Sequence, residues 1–393
     1  MYLNSFPLNE GMENGRKGMG KMRVAVVMPN HADLNSSLNN YVKTLQYIAE
    51  KKWADITLFT DEKNALSLSG ITVKKIRGFD YKTPLEKLLL LLGIPRDYYF
   101  GLEEHLKGYD VIVANNPEFY AYACQSYKIA KKHGKKFVLR TSQTVDGFFL
   151  YKVTKYLINP TMKKAYGYAS CCIFANPEAK QRCIRLGLLK KGSRAIITGH
   201  ATDTECFRPM KVKKPKNKVI LSVGGLLKLK GHQYIIEALR MLQSEGYKDT
   251  ELWIVGKGPY EGTLRSLVQH LGVEESVKFL GAKSHEDLAK IYNKASVFAL
   301  ANEQEITPAV NEALACGVPV VVVECGGCGF VVHEGKEGLI ACKNDPEDLA
   351  AKMKMLLEEE SYAKQMAGNG KKRVKRMFSI PVVARKVAIA FAK

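Results

Sequence analysis

No stretch of this 393-residue sequence strings together the roughly 18 to 20 apolar residues that a helix needs to cross a bilayer. The longest candidate, Leu88 to Ile94, is far too short, which excludes a helical membrane-spanning class. Residues 1–21 lack the apolar core of a secretory signal. They are Gly-rich and basic and end at Lys21-Met22, where an alternative start or tag junction fits, so a disordered extension is expected. The nine cysteines are odd in number and fall into no regular framework, which argues against a disulfide scaffold and for reduced thiols in the cytosol. Cys325 and Cys328 have the spacing of a metal or redox pair, but no second pair or nearby His pair joins them, so a structural role is expected; Cys171 and Cys172 read as strand filler. Acids are nearly missing from residues 128–194, which hold 16 Lys and Arg against only Asp146 and Glu178.

That scarcity explains much of the formal net charge of +21. Residues 1–208 carry 32 basic against 18 acidic side chains, an excess equal to that of the segment 128–194 alone, while 209–393 carry 28 against 21. A field of this size attracts polyanions such as anionic lipid headgroups, acidic glycans or nucleic acid, and a plain solvated Lys-rich surface is the competing explanation. No nucleic-acid recognition module accompanies it, so nucleic acid is the least expected partner. Gly147 to Leu157 mixes aromatics with lysines as an interfacial element does, and Pro84 to Gly93 offers a second apolar contact. Buried core helices account for either stretch as well.

Apolar periodicity predicts strands at 22–28, 55–59, 110–114, 136–140 and 171–175, with a helix from about Ser36 carrying Leu38, Val42, Leu45 and Ala49 on one stripe. After Phe207-Arg208-Pro209 a basic, Pro-containing run, 209–218, reads as a linker. The pattern then restarts with strands at 218–223, 251–255, 277–280, 296–300 and 319–323, and helices at 232–244, 260–271, 285–294 and 346–358. Strands alternating with helices in two blocks predict an α/β chain of two doubly wound, Rossmann-like domains facing a central cleft: 22–208 on an acceptor side and 219–376 on a nucleotide side. The apolar pattern Ile380, Val383, Val387, Phe391 predicts a last helix in 377–393 that packs back on the first domain.

Two places in the second block have the chemistry of phosphate sites. Gly224-Gly225 at a strand end, followed by Lys230 before a helix, combines close backbone approach, helix-start N–H groups and a mobile cation. Near Thr307-Pro308 a second helix opens, with Pro suited to its first turn, Thr307 as cap, and amides able to face a diphosphate. Glu312, one turn further on, can accept both hydroxyls of a ribose. Alone it would read as an ordinary helix Glu; two convergent phosphate sites favour a nucleotide.

The segments SVGGLLKLKGHQYIIEAL (222–239), LWIVGKGPYEGTL (252–264), VKFLGAKSHEDLAKIYNKASVFAL (277–300) and EITPAVNEALACGVPVVV (305–322), together with Gly338-Leu339, resemble the donor-binding domain of the retaining glycosyltransferases of family 4, which have the GT-B architecture. Over the first half the likeness is weaker, resting on the opening strand, 171–187 and Ala201 to Pro209. The resemblance implies transfer of a UDP- or GDP-linked sugar with retention, no cofactor beyond this co-substrate and no metal in the active site. By motif position Lys230 would neutralise the diphosphate and Glu312 would hold the ribose. Gly224, Gly225, Gly256, Gly258 and Gly281 would line the nucleotide, and the backbone at Thr307, Ala309 and Val310 would receive phosphate or sugar oxygens.

Three departures from the family pattern bear on turnover. Gln304 stands where the family has a Glu eight residues before Glu312, so a one-residue contraction would be needed for Glu305 to serve in its place. Gly225 replaces an Arg five residues before Lys230, and Phe330 replaces an acid after the Gly-Gly of the 326–330 loop. On the acceptor side the candidates are Asn30, His31, Ser142 and His200, each His also reading as a plain loop residue. The expected acceptor is lipid-linked or an anionic glycan, met in the cytoplasm or at an anionic membrane face through 128–194. A non-catalytic nucleotide-sugar-binding subunit and a nucleotide-sugar epimerase of the same fold are the alternatives.

Overall fold

The computed structural model describes residues 21–28, 37–62, 64, 68–78, 98–115, 121–141, 160–304 and 307–392. The candidates Asn30, His31, Ser142 and Glu305, and the apolar stretches 84–93 and 147–157, lie outside them. Two parallel sheets organise the chain. The first is built from β1 (Arg23–Val27), β2 (Asp55–Asp61), β3 (Thr72–Ile76), β4 (Val111–Asn115), β5 (Lys136–Thr141), β6 (Cys171–Phe174) and β7 (Ala195–Ile197), in the order β3-β2-β1-β4-β5-β6-β7. The second comprises β8 (Lys218–Val223), β9 (Thr250–Val255), β10 (Val277–Gly281), β11 (Val297–Leu300), β12 (Val320–Val323) and β13 (Gly338–Ala341), in the order β10-β9-β8-β11-β12-β13.

Each sheet is buried on both faces, as parallel strands with crossover helices must be. Along β1, Ala25 and Val27 enter one core and Val24 and Val26 the other; along β8, Ile220 and Leu221 divide in the same way. This explains why these strands show as continuous apolar runs in the sequence. β3 and β7 do not, and were not expected: β3 reads TVKKI with Lys74 and Lys75 exposed, β7 has three residues, and both are sheet edges. Also unanticipated is the helix Glu360–Met377, which packs on the helix Pro308–Ala315 and brings Gly370 against Leu314 so closely that an added Cβ would collide with it.

The run between the sheets is tied to the second one rather than loose. Met210 N–H donates to Asn293 Oδ1 at 2.7 Å, Asn293 Nδ2 donates to Arg208 O at 2.9 Å, and Lys214 Nζ donates to Ala295 O. The chain returns beside this crossing, since Thr202 N–H donates to Phe378 O at 2.7 Å and Ile380 N–H to Thr202 O at 3.1 Å. The last helix, Ile380–Ala392, then lies on the helix Ser37–Glu50, and its Val383, Val387 and Phe391 join Val24 and Val26 in one core. Among the described residues no helix is long and apolar enough to cross a membrane.

Candidate functional site

Strand order reverses between β8 and β11 in the second sheet, and the crevice beyond the carboxyl ends of strands at such a point is where α/β sheets hold ligands. The loops that open there are held by glycines. Leu226 N–H donates to Lys257 O and Tyr260 N–H to Leu226 O, both at 3.0 Å, so the Gly224-Gly225 loop is zipped to the loop after β9. A Cβ on Gly256 would collide with Gly224 O, and one on Gly258 with Leu226 O. Gly256 N–H donates to Gly281 O at 3.0 Å. Gly256 and Gly258, expected to line a nucleotide, are thus required by loop-to-loop contact whatever else they touch. Gly225 differs, being exposed, with only Lys257 O at 3.9 Å from an added Cβ.

From this loop the chain makes a short 3-10 turn, Lys228–Lys230, and a left-handed Gly231 that abuts the Ala301 backbone beyond β11. The helix His232–Ser244 begins there. His232 is buried against Ser222 Oγ, 3.1 Å from Nδ1, and burial, with the nearby charge of Lys230, lowers its pKa to about 4. It is a neutral strut beneath the turn that presents Lys230.

On the β11 side, Glu303 N–H donates to Leu229 O at 3.0 Å and its carboxylate takes Tyr234 Oη at 3.4 Å, which turns this acid toward the helix His232–Ser244. Gln304 O accepts the Gly326 N–H at 3.0 Å, fixing the segment to the loop after β12. Phe330, at the position expected to be acidic, packs its ring 5.5 Å from that of Phe378 and serves as apolar filler.

The helix Pro308–Ala315 starts at Thr307, but the expected side-chain cap does not form. Val310 N–H donates instead to the Thr307 carbonyl at 3.2 Å, and the buried Thr307 hydroxyl has no hydrogen-bond partner among the described residues. Glu312 is 3% exposed. Tyr292 Oη lies 3.1 Å from both Ala309 O and Glu312 Oε2. A phenol has one proton for two acceptors, so a protonated Glu312 satisfies the triad better than an ionised one. Burial accordingly raises the Glu312 pKa to about 7, partly offset by the Tyr292 hydrogen bond and the charge of Lys43. This carboxyl is buried and perturbed, unlike a surface acid.

The first domain reaches the same place. Asn311 Nδ2 donates to His200 O at 3.2 Å, and Lys43 pairs with Asp203 at 2.7 Å. His200 has its pKa lowered to about 4 by burial and then by Arg140, so near neutrality it is uncharged and a weak base. Among the described residues no three His, Cys, Asp or Glu side chains gather in a metal-holding cluster. The signal for Tyr292 and Arg140 was absent from the sequence reading, since each is one aromatic or basic residue among many until the fold sets it beside Glu312 or His200.

Residues 203–373 match the family model described as glycosyl transferases group 1. The chain is 29% identical over 214 residues to the D-inositol 3-phosphate glycosyltransferase of Corynebacterium urealyticum, covering 50% of each chain. It is 26% identical over 238 residues to the N,N'-diacetylbacillosaminyl-diphospho-undecaprenol alpha-1,3-N-acetylgalactosaminyltransferase of Campylobacter jejuni, covering 57% of this chain and 61% of that one. The matched stretch thus spans about half the length of these curated relatives. In three dimensions the crystal structure of Anabaena HepE with UDP and glucose superposes with a TM-score of 0.74 at 16% identity, over 94% of this chain and 99% of that one. Residues 203–373 thus match the glycosyl transferase group 1 family, and the two sheets of this chain make up the GT-B fold.

Proposed function

We propose that this chain is a retaining glycosyltransferase whose second domain binds a UDP- or GDP-sugar and whose first domain presents the acceptor. The observation that carries this reading is that Lys230 follows β8 and Glu312 follows β11, the two strands that flank the switch point, within the very segment, 203–373, that matches the family model. In this reading Lys230 and the opening turn of the helix Pro308–Ala315 stabilise the departing nucleoside diphosphate, and the ionised form of Glu312 accepts the ribose hydroxyls. No metal is needed, because cations and helix amides supply the positive field; losing one such donor costs on the order of 3 kcal/mol of barrier. The Campylobacter relative, named for transfer to a diphospho-undecaprenol carrier, supports a lipid-linked acceptor. The basic segment 128–194 supports docking on the cytoplasmic face of an anionic membrane, which flotation with anionic and neutral liposomes checks.

The test is nucleoside diphosphate release from a panel of UDP-, GDP- and ADP-sugars, wild type against Glu312→Ala, with donor binding followed by calorimetry. Release that disappears in the variant identifies donor and activity together. Donor binding without release, even with lipid or glycan acceptors supplied, favours the second reading, a non-catalytic nucleotide-sugar-binding subunit. Gly225, Gln304 and Phe330, three uncharged residues where the family pattern carries charge, are what favour that alternative.

A further inference from the structure

The loop after β12 turns tightly through Cys325-Gly326-Gly327-Cys328. Cys328 N–H donates to Cys325 O at 3.1 Å, closing a β-turn, and Gly327 in its third position stands at φ 82°, ψ 0°, the left-handed values a type II turn requires there. Such a turn holds its first and last Cα within about 7 Å of each other, the reach of a disulfide. The side chains converge too, since the Cys325 thiol is hydrogen-bonded to the Cys328 sulfur. Both residues are half-buried and keep part of their surface in solvent, whereas Cys171, Cys172, Cys183 and Cys316 are buried.

The two thiols are not equivalent. The hydrogen bond from Cys325 stabilises the Cys328 thiolate and, helped by backbone groups at Cys325 and Gly329, lowers the Cys328 pKa to about 6 against the opposing effects of burial and the charge of Glu178. Cys124, Cys206, Cys316 and Cys342 are shifted the other way, the first three chiefly by burial and Cys342 chiefly by its hydrogen bond to Asp348. A thiolate with a second thiol on the same turn is the arrangement in which a sulfenic acid, once formed, is resolved into a disulfide.

The turn is pinned from two sides. Gly326 N–H donates to Gln304 O at 3.0 Å, just before the helix start at Thr307. On the other side is the first domain: a Cβ on Gly327 would lie 2.8 Å from Nδ2 of Asn176, whose Oδ1 caps the helix Pro177–Arg185 by accepting the Ala179 N–H at 2.8 Å. The sulfurs of a disulfide stand about 2.05 Å apart, closer than a hydrogen bond allows, so forming one draws the ends of the turn together and the adjustment falls on the two glycines between them.

We propose that Cys325 and Cys328 are a redox modification site, a dithiol that a hydroperoxide converts to a disulfide, and that closing the bond loosens Gly326 from Gln304 and weakens nucleotide binding at the neighbouring helix start. The sulfur chemistry stands without the transferase reading; the effect on a nucleotide rests on it. With hydrogen peroxide as the oxidant, the Cys328 thiolate attacks one oxygen, the O–O bond breaks, and Cys328 becomes a sulfenic acid while hydroxide leaves and takes up the proton that the thiol had given. The Cys325 sulfur then attacks the Cys328 sulfur, the S–O bond breaks, and the departing hydroxide leaves with the Cys325 proton as water. Two thiols are thereby oxidised to one disulfide and one peroxide is reduced to two waters. Exchange with an external dithiol reverses the step.

The experiment uses the full chain, reduced, freed of reductant and treated with hydrogen peroxide near neutral pH. Products are mapped by alkylation and peptide mass spectrometry, amide exchange is followed at Gly326, and UDP and GDP are titrated calorimetrically before oxidation, after it and after re-reduction. Wild type is compared with Cys325→Ser, whose hydroxyl keeps the hydrogen bond to Cys328, and with Cys328→Ser. The expected product is a bond between residues 325 and 328, formed before any other cysteine reacts. Cys325→Ser stops at a sulfenic acid on Cys328 that dimedone traps, and Cys328→Ser is oxidised at this turn about tenfold more slowly or less. Oxidation of the wild type speeds exchange at Gly326 and weakens nucleotide binding about fivefold or more, re-reduction restores both, and neither variant shows the change. Oxidation that begins at the exposed Cys342, or that leaves 325 and 328 unjoined, overturns the site. A disulfide that forms but leaves Gly326 exchange and nucleotide affinity unaltered overturns its coupling to the Gln304 segment. A wild type that forms the disulfide and loosens at Gly326, yet binds neither nucleotide in either state, counts against the transferase reading alone.

Discussion

Glu312→Gln is expected to make the protein more stable and its nucleotide binding worse, with a pH dependence that identifies the cause. The Glu312 pKa stands at about 7 in the fold against 4.5 for an unperturbed carboxyl, with burial as the largest contribution. Because the folded value is raised, the proton is held more tightly in the native state. Below pH 4.5 both states are protonated and the group is neutral to stability. Between pH 4.5 and about 7 the unfolded chain ionises first, and stability falls. Above about 7 the full penalty applies, about 3 kcal/mol at 1.36 kcal/mol per unit. Gln keeps the shape and never ionises, so the variant should gain about 3 kcal/mol above pH 7.5, or about 6 to 12 °C in melting temperature, and almost nothing at pH 4.5. If Glu312 holds the donor ribose as proposed, the same variant should also bind nucleotide about 10- to 100-fold more weakly, having lost a charged hydrogen-bond partner. Thermal melts across pH 4.5 to 8.5, with and without UDP or GDP, check both halves. A variant that melts lower than wild type at pH 8, or whose gain does not vary with pH, refutes the account of Glu312 as a strained carboxylate.

Other changes have equally definite expected outcomes. Gly225→Arg should add the missing phosphate charge without a steric penalty, since an added Cβ meets only Lys257 O at 3.9 Å; donor affinity should rise several-fold with no loss in melting temperature, and lowered affinity would argue against a phosphate at this loop. Gly256→Ala forces a Cβ into the Gly224 carbonyl and should cost at least about 2 kcal/mol by chemical denaturation, whether or not a nucleotide ever binds. Deleting residues 380–393 strips Val383, Val387 and Phe391 from the first domain's core, a loss of about 6 kcal/mol for three buried side chains. That should abolish cooperative unfolding of the first domain while leaving the second domain's transition in calorimetry.

How far the sequence could be read depended on what each residue faced. In the second domain the helices His232–Ser244, His285–Lys294 and Pro346–Glu358 were legible to the residue, because amphipathic helices between strands buried on both faces leave unambiguous patterns. Edge strands such as β3 do not, since Lys74 and Lys75 face solvent and break the apolar run. The helix Glu360–Met377 was hidden by its polar, Gly-containing sequence, which buries a narrow stripe including Ala363, Gly370 and Val374. Lys230 and Glu312 sit in motifs recognisable from the sequence, and the structure sets them after β8 and β11 as those motifs predict. Thr307 as a cap was a fair inference from residue type, but a backbone carbonyl competed for the same N–H and took it. The pairing of Arg140 with Tyr41 joins residues a hundred positions apart, and no local pattern encodes it.

The last helix also has a consequence for how the molecule is made. A ribosome releases residues 22–208 long before 380–392 exist, so the first sheet emerges with the face bearing Val24, Val26 and Val138 still waiting for Val383, Val387 and Phe391. The second domain has every strand it needs by Ala341 and its last core helix by Met377, a few residues before the first domain receives its own. Biogenesis therefore runs against the order of synthesis: the domain made first is finished last, and in the interval its bare apolar face is what a chaperone would have to shield.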